Sequence, residues 1–219
     1  IGKEKHNKWR VKPKDFEKQM KWFYDNKWNS FTISELIKLD EIPKKSFVVT
    51  FDDGYEDNFK NAFPILKKYN FKATIYLVPN QSINHWEEKN TSVLSNLLNN
   101  EQILQMQNTG LIEFGSHTLS HVNLSTINDE QLLIELKKSK EEIEKITRKE
   151  CEAFAYPYGK FDDKIIQAVE EIGYKNATVV KRGLFEKNDN PFIIKRIGIL
   201  GTESFVDFLL KVTRIRNKL

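Results

Sequence analysis

Two short clusters of residues have the types and spacing for chemistry, and each follows a stretch typical of a buried strand. Asp52 and Asp53 end an apolar, β-branched run, and Gly54 after them permits a sharp turn. His117 and His121 lie four residues apart, which brings two imidazoles to one side of a helix or turn. Two histidines and one carboxylate fill three positions on a divalent metal ion and leave room for water. The other aspartate is then free to take a proton from that water, so these residues predict metal-assisted hydrolysis.

Alternating strand and helix patterns must position these clusters. A strand predicted over residues 47–51 precedes the aspartates, and one over residues 111–115 precedes the histidines. A third, over residues 153–155, leads into the turn-forming residues 156–159. We therefore expect a parallel α/β architecture, with a barrel as its closed form. In such a fold the site lies at the carboxyl ends of the strands, where all of these segments would meet.

Apolar spacing predicts the remaining elements. Helices are expected over residues 14–26, 32–39, 55–69 (with a kink or a restart at Pro64), 94–107, 128–145, 162–172 and 203–212, and strands over 73–78, 177–180 and 192–199. The sequence shows no internal repeat, low-complexity tract or linker. We therefore expect residues 1–219 to form a single domain.

Composition narrows the class of protein. The 219 residues are 39% hydrophobic and 12% aromatic, enough for a sizeable core. The net charge of +4 comes from interspersed charges without a compact basic cluster, which disfavours nucleic-acid binding. The sequence has no run of eighteen apolar residues, the length needed to span a membrane. Its lone cysteine, Cys151, is typical of a small buried residue. The chain opens Ile1-Gly2-Lys3 without a signal-like segment, so we expect a trimmed N-terminus.

Three motifs together resemble the polysaccharide deacetylases of carbohydrate esterase family four, whose domain is named after the nodulation-type deacetylase. Residues 50–55 are similar to the first motif of that family, residues 117–121 to the second, and residues 155–159 to an unusual version of the third. Segments outside these motifs, such as residues 64–69, resemble the poly-N-acetylglucosamine (intercellular adhesin) de-N-acetylase branch. The resemblance covers residues 46–210 and implies a distorted (β/α) barrel with fewer than eight repeats.

The resemblance also implies roles for single residues. Asp52 would be the general base, and Asp53, His117 and His121 would be the metal ligands. The backbone N–H of Tyr158 would complete an oxyanion hole. Zinc is the default ion for this donor set, although cobalt, nickel or iron would suit it too. The implied enzyme is a monomeric, extracytoplasmic or cell-surface bacterial protein that removes N-acetyl groups from an N-acetylglucosamine-containing polysaccharide.

Two departures from the family pattern bear on the mechanism. Most members carry an arginine that braces the base where this chain has Ala155, and a late histidine acid that is missing from residues 194–199. One hypothesis is that Asp52, once protonated, passes its proton to the leaving amine. A second is that Arg196 replaces the missing brace from another strand. Both losses predict slow catalysis.

The sequence excludes two classes of hydrolase and leaves other interpretations open. The chain lacks the His-Glu-x-x-His of zincin proteases and the Gly-x-Ser-x-Gly of serine hydrolases. A catalytically silent glycan-binding domain stays open, although a pure binder would not need Asp52. Chitin, peptidoglycan, xylan and a β-1,6-linked exopolysaccharide all stay open as substrates. The choice among them depends on the shape of the substrate groove, which the loop over residues 81–91 would help to form. In that loop Trp86 could stack on a sugar ring, while His6 and His85 are far in sequence from the late strand.

Overall fold

The computed structural model describes residues 1–2, 8–88 and 94–213. The helices are α1 (Pro13–Asp25), α2 (Ile33–Lys38), α3 (Phe63–Tyr69), α4 (Asn100–Gln107), α5 (Asp129–Thr147), α6 (Asp163–Glu171) and α7 (Phe205–Val212). The strands are β1 (Asn29–Ser30), β2 (Ser46–Phe47), β3 (Val49–Phe51), β4 (Ala73–Leu77), β5 (Ile112–Ser116), β6 (Ala153–Ala155), β7 (Asn176–Arg182) and β8 (Ile194–Arg196). None of the helices in these described ranges combines the length and apolar character needed to cross a lipid bilayer.

Six of the strands form one sheet whose order follows the sequence, β3-β4-β5-β6-β7-β8. All neighbouring strands are parallel, and a helix lies in every connection from β3 to β7. Such a sequential order is that of a (β/α) barrel. The sheet is a half-barrel with β3 and β8 as its edges, and β1 and β2 pair separately. The predicted distorted barrel with fewer than eight repeats is confirmed.

Parallel register brings the predicted clusters to the same end of the sheet. Phe51 of β3 pairs with β4, whose last residue, Leu77, pairs with Ser116 of β5. Ser116 in turn pairs with Phe154 of β6. The residues after β3, β5 and β6 therefore emerge next to one another at the carboxyl edge, as the sequence predicts.

Aromatic and aliphatic side chains fill the interior. Phe16, Met20 and Phe23 line the buried face of α1, as their spacing predicts. The ring of Phe23 stacks on Phe47 with centroids 4.0 Å apart, which ties α1 to β2. Cys151 is buried, and burial raises the pKa of its thiol well above the ordinary value. It therefore packs as a small apolar residue, as predicted.

Two predicted elements are divided. The strand expected over residues 47–51 becomes two, because β2 pairs with β1 while β3 pairs with β4. The helix expected over residues 55–69 is interrupted, since a π-helical turn, Asn58–Ala62, precedes α3. Pro64 lacks an N–H, so the regular hydrogen-bond ladder cannot pass through it, and the kink was expected there.

The helix predicted over residues 94–107 is shorter than expected. Asn99 and Gln102 form a capping box that fixes its start at α4. The residues before the cap are extended instead, and Leu97 forms an antiparallel bridge with Tyr55. Pairing with a distant segment therefore overrides the local helical pattern.

Candidate active site

A tight turn after β3 directs the carboxylates of the two adjacent aspartates toward different partners. Asp53 and Gly54 both adopt left-handed backbone, with φ of 71° at each. A Cβ at Gly54 would lie 2.8 Å from the side chain of Leu77, so only glycine fits this turn. The carboxylate of Asp52 faces Arg196, whereas that of Asp53 faces the histidines. The division of labour predicted for the aspartates has a structural basis in this turn.

Asp53, His117 and His121 converge on one point. Asp53 Oδ1 lies 3.2 Å from His121 Nε2 and 3.5 Å from His117 Nε2. One donor atom from each of the three residues lies within 4.8 Å of the others. One carboxylate and two imidazoles at this spacing form a donor set that fits a divalent transition-metal ion.

The protonation of His117 suits a metal ligand. Its Nδ1 lies 2.7 Å from the carbonyl oxygen of Ala155. A carbonyl oxygen only accepts hydrogen bonds, so Nδ1 carries the proton and Nε2 keeps its lone pair toward Asp53. Burial lowers the pKa of His117, which is 3% exposed, and the imidazole is therefore neutral at pH 7. A neutral ring with a fixed tautomer is ready to bind a cation.

Two aromatic side chains hold the ring of His121. The hydroxyl of Tyr158 lies 3.2 Å from His121 Nδ1. If Nε2 binds a cation, Nδ1 carries the proton of the neutral ring and would donate to that hydroxyl. Trp86 stacks on the other side, with ring centroids 4.5 Å apart and an interplanar angle of 23°. Trp86 thus packs on a predicted metal ligand, and the side-chain role of Tyr158 is one that sequence reasoning missed.

Asp52 is paired with an arginine from the far edge of the sheet. Arg196 Nη1 and Nη2 donate to its two carboxylate oxygens at 2.7 and 2.9 Å. The same guanidinium donates to Thr50 Oγ1 and to the carbonyl of Val179, both at 3.2 Å. These contacts agree with the hypothesis that Arg196 supplies the brace missing at Ala155. Because β8 and β3 are the two edges, this side chain also spans the opening of the half-barrel.

The pair sets the charge of Asp52. Burial raises the pKa of its carboxyl, but the charge and hydrogen bonds of Arg196 outweigh this, and the pKa falls to about 2. The carboxylate is therefore ionised throughout the neutral range. The side chain of Asp52 is 32% exposed, so it remains accessible from solvent. Asp52 can accept a proton, although a group with so low a pKa is a weak base.

Left-handed backbone recurs at the site. Besides Asp53, the non-glycine residues Thr118, His121 and Tyr158 have φ of 67°, 58° and 59°. Such conformations cost of order 1–3 kcal/mol for residues other than glycine, most of all for a β-branched threonine. The turn between the histidines is therefore held by its surroundings, beginning with the Thr118 hydroxyl, which accepts a hydrogen bond from His121 N at 3.0 Å.

The structure brings together all five predicted site residues. The backbone of Tyr158 follows β6 at the carboxyl edge, and its oxyanion role stays a prediction. Of the two histidines outside the second motif, His85 is exposed in a short 3₁₀ turn, and His6 lies outside the described residues, as does part of the predicted 81–91 loop. The donor of the leaving-group proton therefore stays a hypothesis.

Comparisons with known proteins agree with this geometry. The family profile of polysaccharide deacetylases matches residues 40–177. A poly-β-1,6-N-acetyl-D-glucosamine N-deacetylase of Staphylococcus aureus is 31% identical over 198 residues, covering 85% of this chain and 67% of the relative. A crystal structure of a Bacillus cereus polysaccharide deacetylase superposes with a TM-score of 0.81 at 31% identity, covering 97% of this chain and 66% of that one.

A further structure extends the likeness. The Streptococcus pyogenes deacetylase PplD, solved in complex with acetate, superposes with a TM-score of 0.80 at 26% identity, covering 94% of this chain and 89% of that one. The chain spans about two thirds of the length of the staphylococcal and Bacillus cereus proteins. The profile match covers more than half of the chain, and the match includes the strands that carry Asp52, Asp53 and both histidines. The chain belongs to the polysaccharide deacetylase family.

Proposed function

We propose that this protein is a metal-dependent hydrolase that removes N-acetyl groups from a poly-N-acetylglucosamine-like polysaccharide. The observation that carries the proposal is the placement of an ionised carboxylate, Asp52, beside the convergent Asp53, His117 and His121. The named activity of the staphylococcal relative supports the choice of polymer. The family resemblance suggests that the protein would act as a monomer, outside the cytoplasm or at the surface of a bacterial cell.

Asp53, His117 and His121 would hold the ion, and the neutral tautomer fixed at His117 suits this task. Zinc is the first choice for such a donor set, with cobalt, nickel or iron as substitutes. A bound ion would lower the pKa of a water molecule and polarise the acyl carbonyl.

The residues of the chain itself would move the proton. Asp52 accepts a proton from the attacking water as its oxygen bonds to the acyl carbon. The backbone N–H of Tyr158 donates to the oxygen that gains negative charge. When the C–N bond breaks, Asp52 returns its proton to the amine nitrogen, which leaves acetate and a free amino sugar. Because Arg196 holds the pKa of Asp52 at about 2, proton uptake is weakly driven and turnover should be slow.

The pairing of Asp52 with Arg196 also favours a second candidate. A carboxylate whose two oxygens are both engaged by a guanidinium could serve structure alone. The protein would then be a glycan-binding domain that kept the metal site without turnover. The two candidates differ in whether acetate is released.

The test is the release of acetate and free amine from β-1,6- and β-1,4-linked N-acetylglucosamine oligomers, using metal-stripped protein with and without added Zn²⁺ or Co²⁺. We expect release only with metal. Asp52→Asn should lower kcat by roughly 10²- to 10⁴-fold, the usual contribution of a general base, while Zn²⁺ still binds. Asp40→Asn, the same change at an exposed position, is the matched control and should be silent.

The outcomes separate the candidates. Release that does not depend on metal would remove the assignment of Asp53, His117 and His121. An unchanged rate in Asp52→Asn would remove the assignment of the base. Binding of Zn²⁺ without release from either oligomer would favour the silent glycan binder or another acetylated glycan.

A further inference from the structure

A buried glutamate on α5 contacts the turn that carries the two histidines. Glu135 is 2% exposed. Its Oε2 accepts hydrogen bonds from the backbone N–H groups of Leu119 and Ser120, both at 3.0 Å. Its Oε1 accepts from the hydroxyl of Ser120 at 2.6 Å and from the amide of Gln131 at 3.3 Å. Three of these four bonds come from the segment between His117 and His121.

The buried carboxylate is unexpected on this face of the helix. Leu132, Leu136 and Ile143 form the apolar stripe of α5, and Glu135 lies within it. Burying a carboxylate carries a large desolvation cost unless hydrogen bonds compensate for it, and an apolar side chain of similar size often serves stability as well. What an apolar side chain would not supply is an acceptor for the N–H groups of the turn. The contacts of Glu135 therefore point to the shape of that turn.

The shape of the turn determines where the second imidazole lies. Thr118 and His121 are both in left-handed backbone, and the two N–H groups between them point at one carboxylate oxygen. Successive N–H groups in such a turn form a concave site for an anion, which Glu135 fills. Without an acceptor, these N–H groups would turn toward other partners, and the strained turn would relax. His121 Nε2 would then move relative to Asp53.

We propose that Glu135 is a positioning residue that sets the metal affinity of the site by holding the turn between His117 and His121. This inference rests on the proposed role of Asp53, His117 and His121 as metal ligands. Glu135 does not contact the donor atoms, and it acts through the backbone. Residues that orient metal ligands in this way typically contribute roughly 10- to 100-fold to metal affinity.

The test compares two substitutions of Glu135 by direct Zn²⁺ titration against a chromophoric chelator. Glu135→Met keeps the length of the side chain but removes every acceptor, and it should weaken Zn²⁺ binding by roughly 10- to 100-fold. Glu135→Gln keeps one acceptor oxygen for the two N–H groups, so it should retain most of the affinity. Glu141→Met, on the partly exposed face of the same helix, is the matched control and should bind as wild type. Circular dichroism and thermal unfolding of the metal-free proteins report folding separately.

Each result decides a different point. If the wild-type protein does not bind Zn²⁺, the proposed metal site itself falls. If wild type binds and folded Glu135→Met binds equally tightly, Glu135 has only a structural role and the inference is overturned. Should Glu135→Met fail to fold, Ser120→Ala decides the matter, because it removes only the exposed hydroxyl contact. We expect it to weaken Zn²⁺ binding by roughly tenfold, and unchanged affinity would overturn the inference.

Discussion

The site has two halves, which are held in place by different kinds of contact. The histidine half is the turn that carries His117 and His121, and the other half is Asp52 with its partner Arg196. The histidine turn is held by Glu135, which is 15 residues beyond Ser120 in the chain, on the helix that directly follows. The proposed base, Asp52, is held by Arg196, 144 residues away on the opposite edge of the sheet. The backbone of the histidine turn is therefore held from within a single strand–helix unit, whereas the position of Asp52 requires both edges of the half-barrel to come together.

The proposed metal binding and the proposed proton transfer therefore depend on contacts in separate parts of the fold. Contacts between neighbouring elements form and persist locally, while a contact across the sheet opening exists only when the whole sheet is in place. Substitutions of Glu135 and of Arg196 should therefore have largely independent effects, since these two side chains share no hydrogen-bond partner among the described residues.

Arg196→Met should have the largest effect. It removes the bidentate partner of Asp52, so the pKa of the carboxyl rises while the group loses its orientation, and we expect the lost orientation to outweigh the stronger basicity. We expect kcat to fall by about 100-fold, at the low end of what loss of a general base costs. The pKa is held at about 2 only while Arg196 is present, so the acid limb of kcat/KM should move to higher pH. Zn²⁺ affinity should be unchanged in a chelator titration.

The control for this variant is Lys181→Met, which removes a positive charge from an exposed position on β7. It should keep both kcat and the acid limb of wild type. A parallel loss of Zn²⁺ affinity in Arg196→Met would contradict the separation of the two halves. It would mean that closure of the sheet at β8 also positions the histidines.

Tyr158→Phe should have an intermediate effect on the metal half. It deletes the hydroxyl that contacts His121 Nδ1 and keeps the backbone N–H assigned to the oxyanion. We expect Zn²⁺ affinity to fall by about tenfold, the low end for residues that orient a ligand. Zn²⁺ titration and kcat at saturating Zn²⁺ should separate the two roles, because saturated enzyme should regain most of its rate.

Tyr24→Phe, at an exposed tyrosine of α1, should leave Zn²⁺ binding unaltered. If Tyr158→Phe binds Zn²⁺ normally but turns over slowly even at saturation, its hydroxyl serves the substrate instead. The contact between Tyr158 and His121 would then not contribute to metal affinity.

The same contrast explains how much could be predicted from sequence. The meeting of Asp52, Asp53, His117 and His121 followed from strand ends in a parallel sheet, where sequence order alone fixes which segments are neighbours. The α/β barrel itself came from alternating patterns of the same local kind. These features depend on short-range periodicity and on motifs of a few residues, and both can be read without coordinates.

What sequence could not supply depends on distant contacts. Arg196 was a hypothesis prompted by Ala155, and its contact with Asp52 required knowing that β8 faces β3 across the opening. Glu135 was missed because a glutamate next to an apolar stripe usually faces solvent. The extended segment before α4 was wrongly predicted as helix, because its pairing with Tyr55 lies outside any local window. In each case a tertiary partner decided the outcome.

Ser139→Ala should have the smallest effect, and it tests whether other residues on the buried face of α5 position the histidine turn as Glu135 does. The hydroxyl of Ser139 accepts from Ser116 Oγ at 2.8 Å and donates to the carbonyl of Leu136 at 3.0 Å. Its loss leaves the buried Ser116 hydroxyl without this acceptor, so the free energy of unfolding in urea should fall by about 1–3 kcal/mol. Zn²⁺ affinity should stay at the wild-type value, because the contacts of Glu135 with the turn remain.

The matched control is Ser125→Ala at an exposed position, which should change stability by no more than about 0.5 kcal/mol. Ser139 and Glu135 lie one turn apart on the same face of α5, yet only Glu135 accepts from the N–H groups between the histidines. If Ser139→Ala weakened Zn²⁺ binding as much as Glu135→Met, the whole face of α5 would position the turn. If it only lowers stability, α5 positions the turn through the carboxylate of Glu135 and not through its whole buried face.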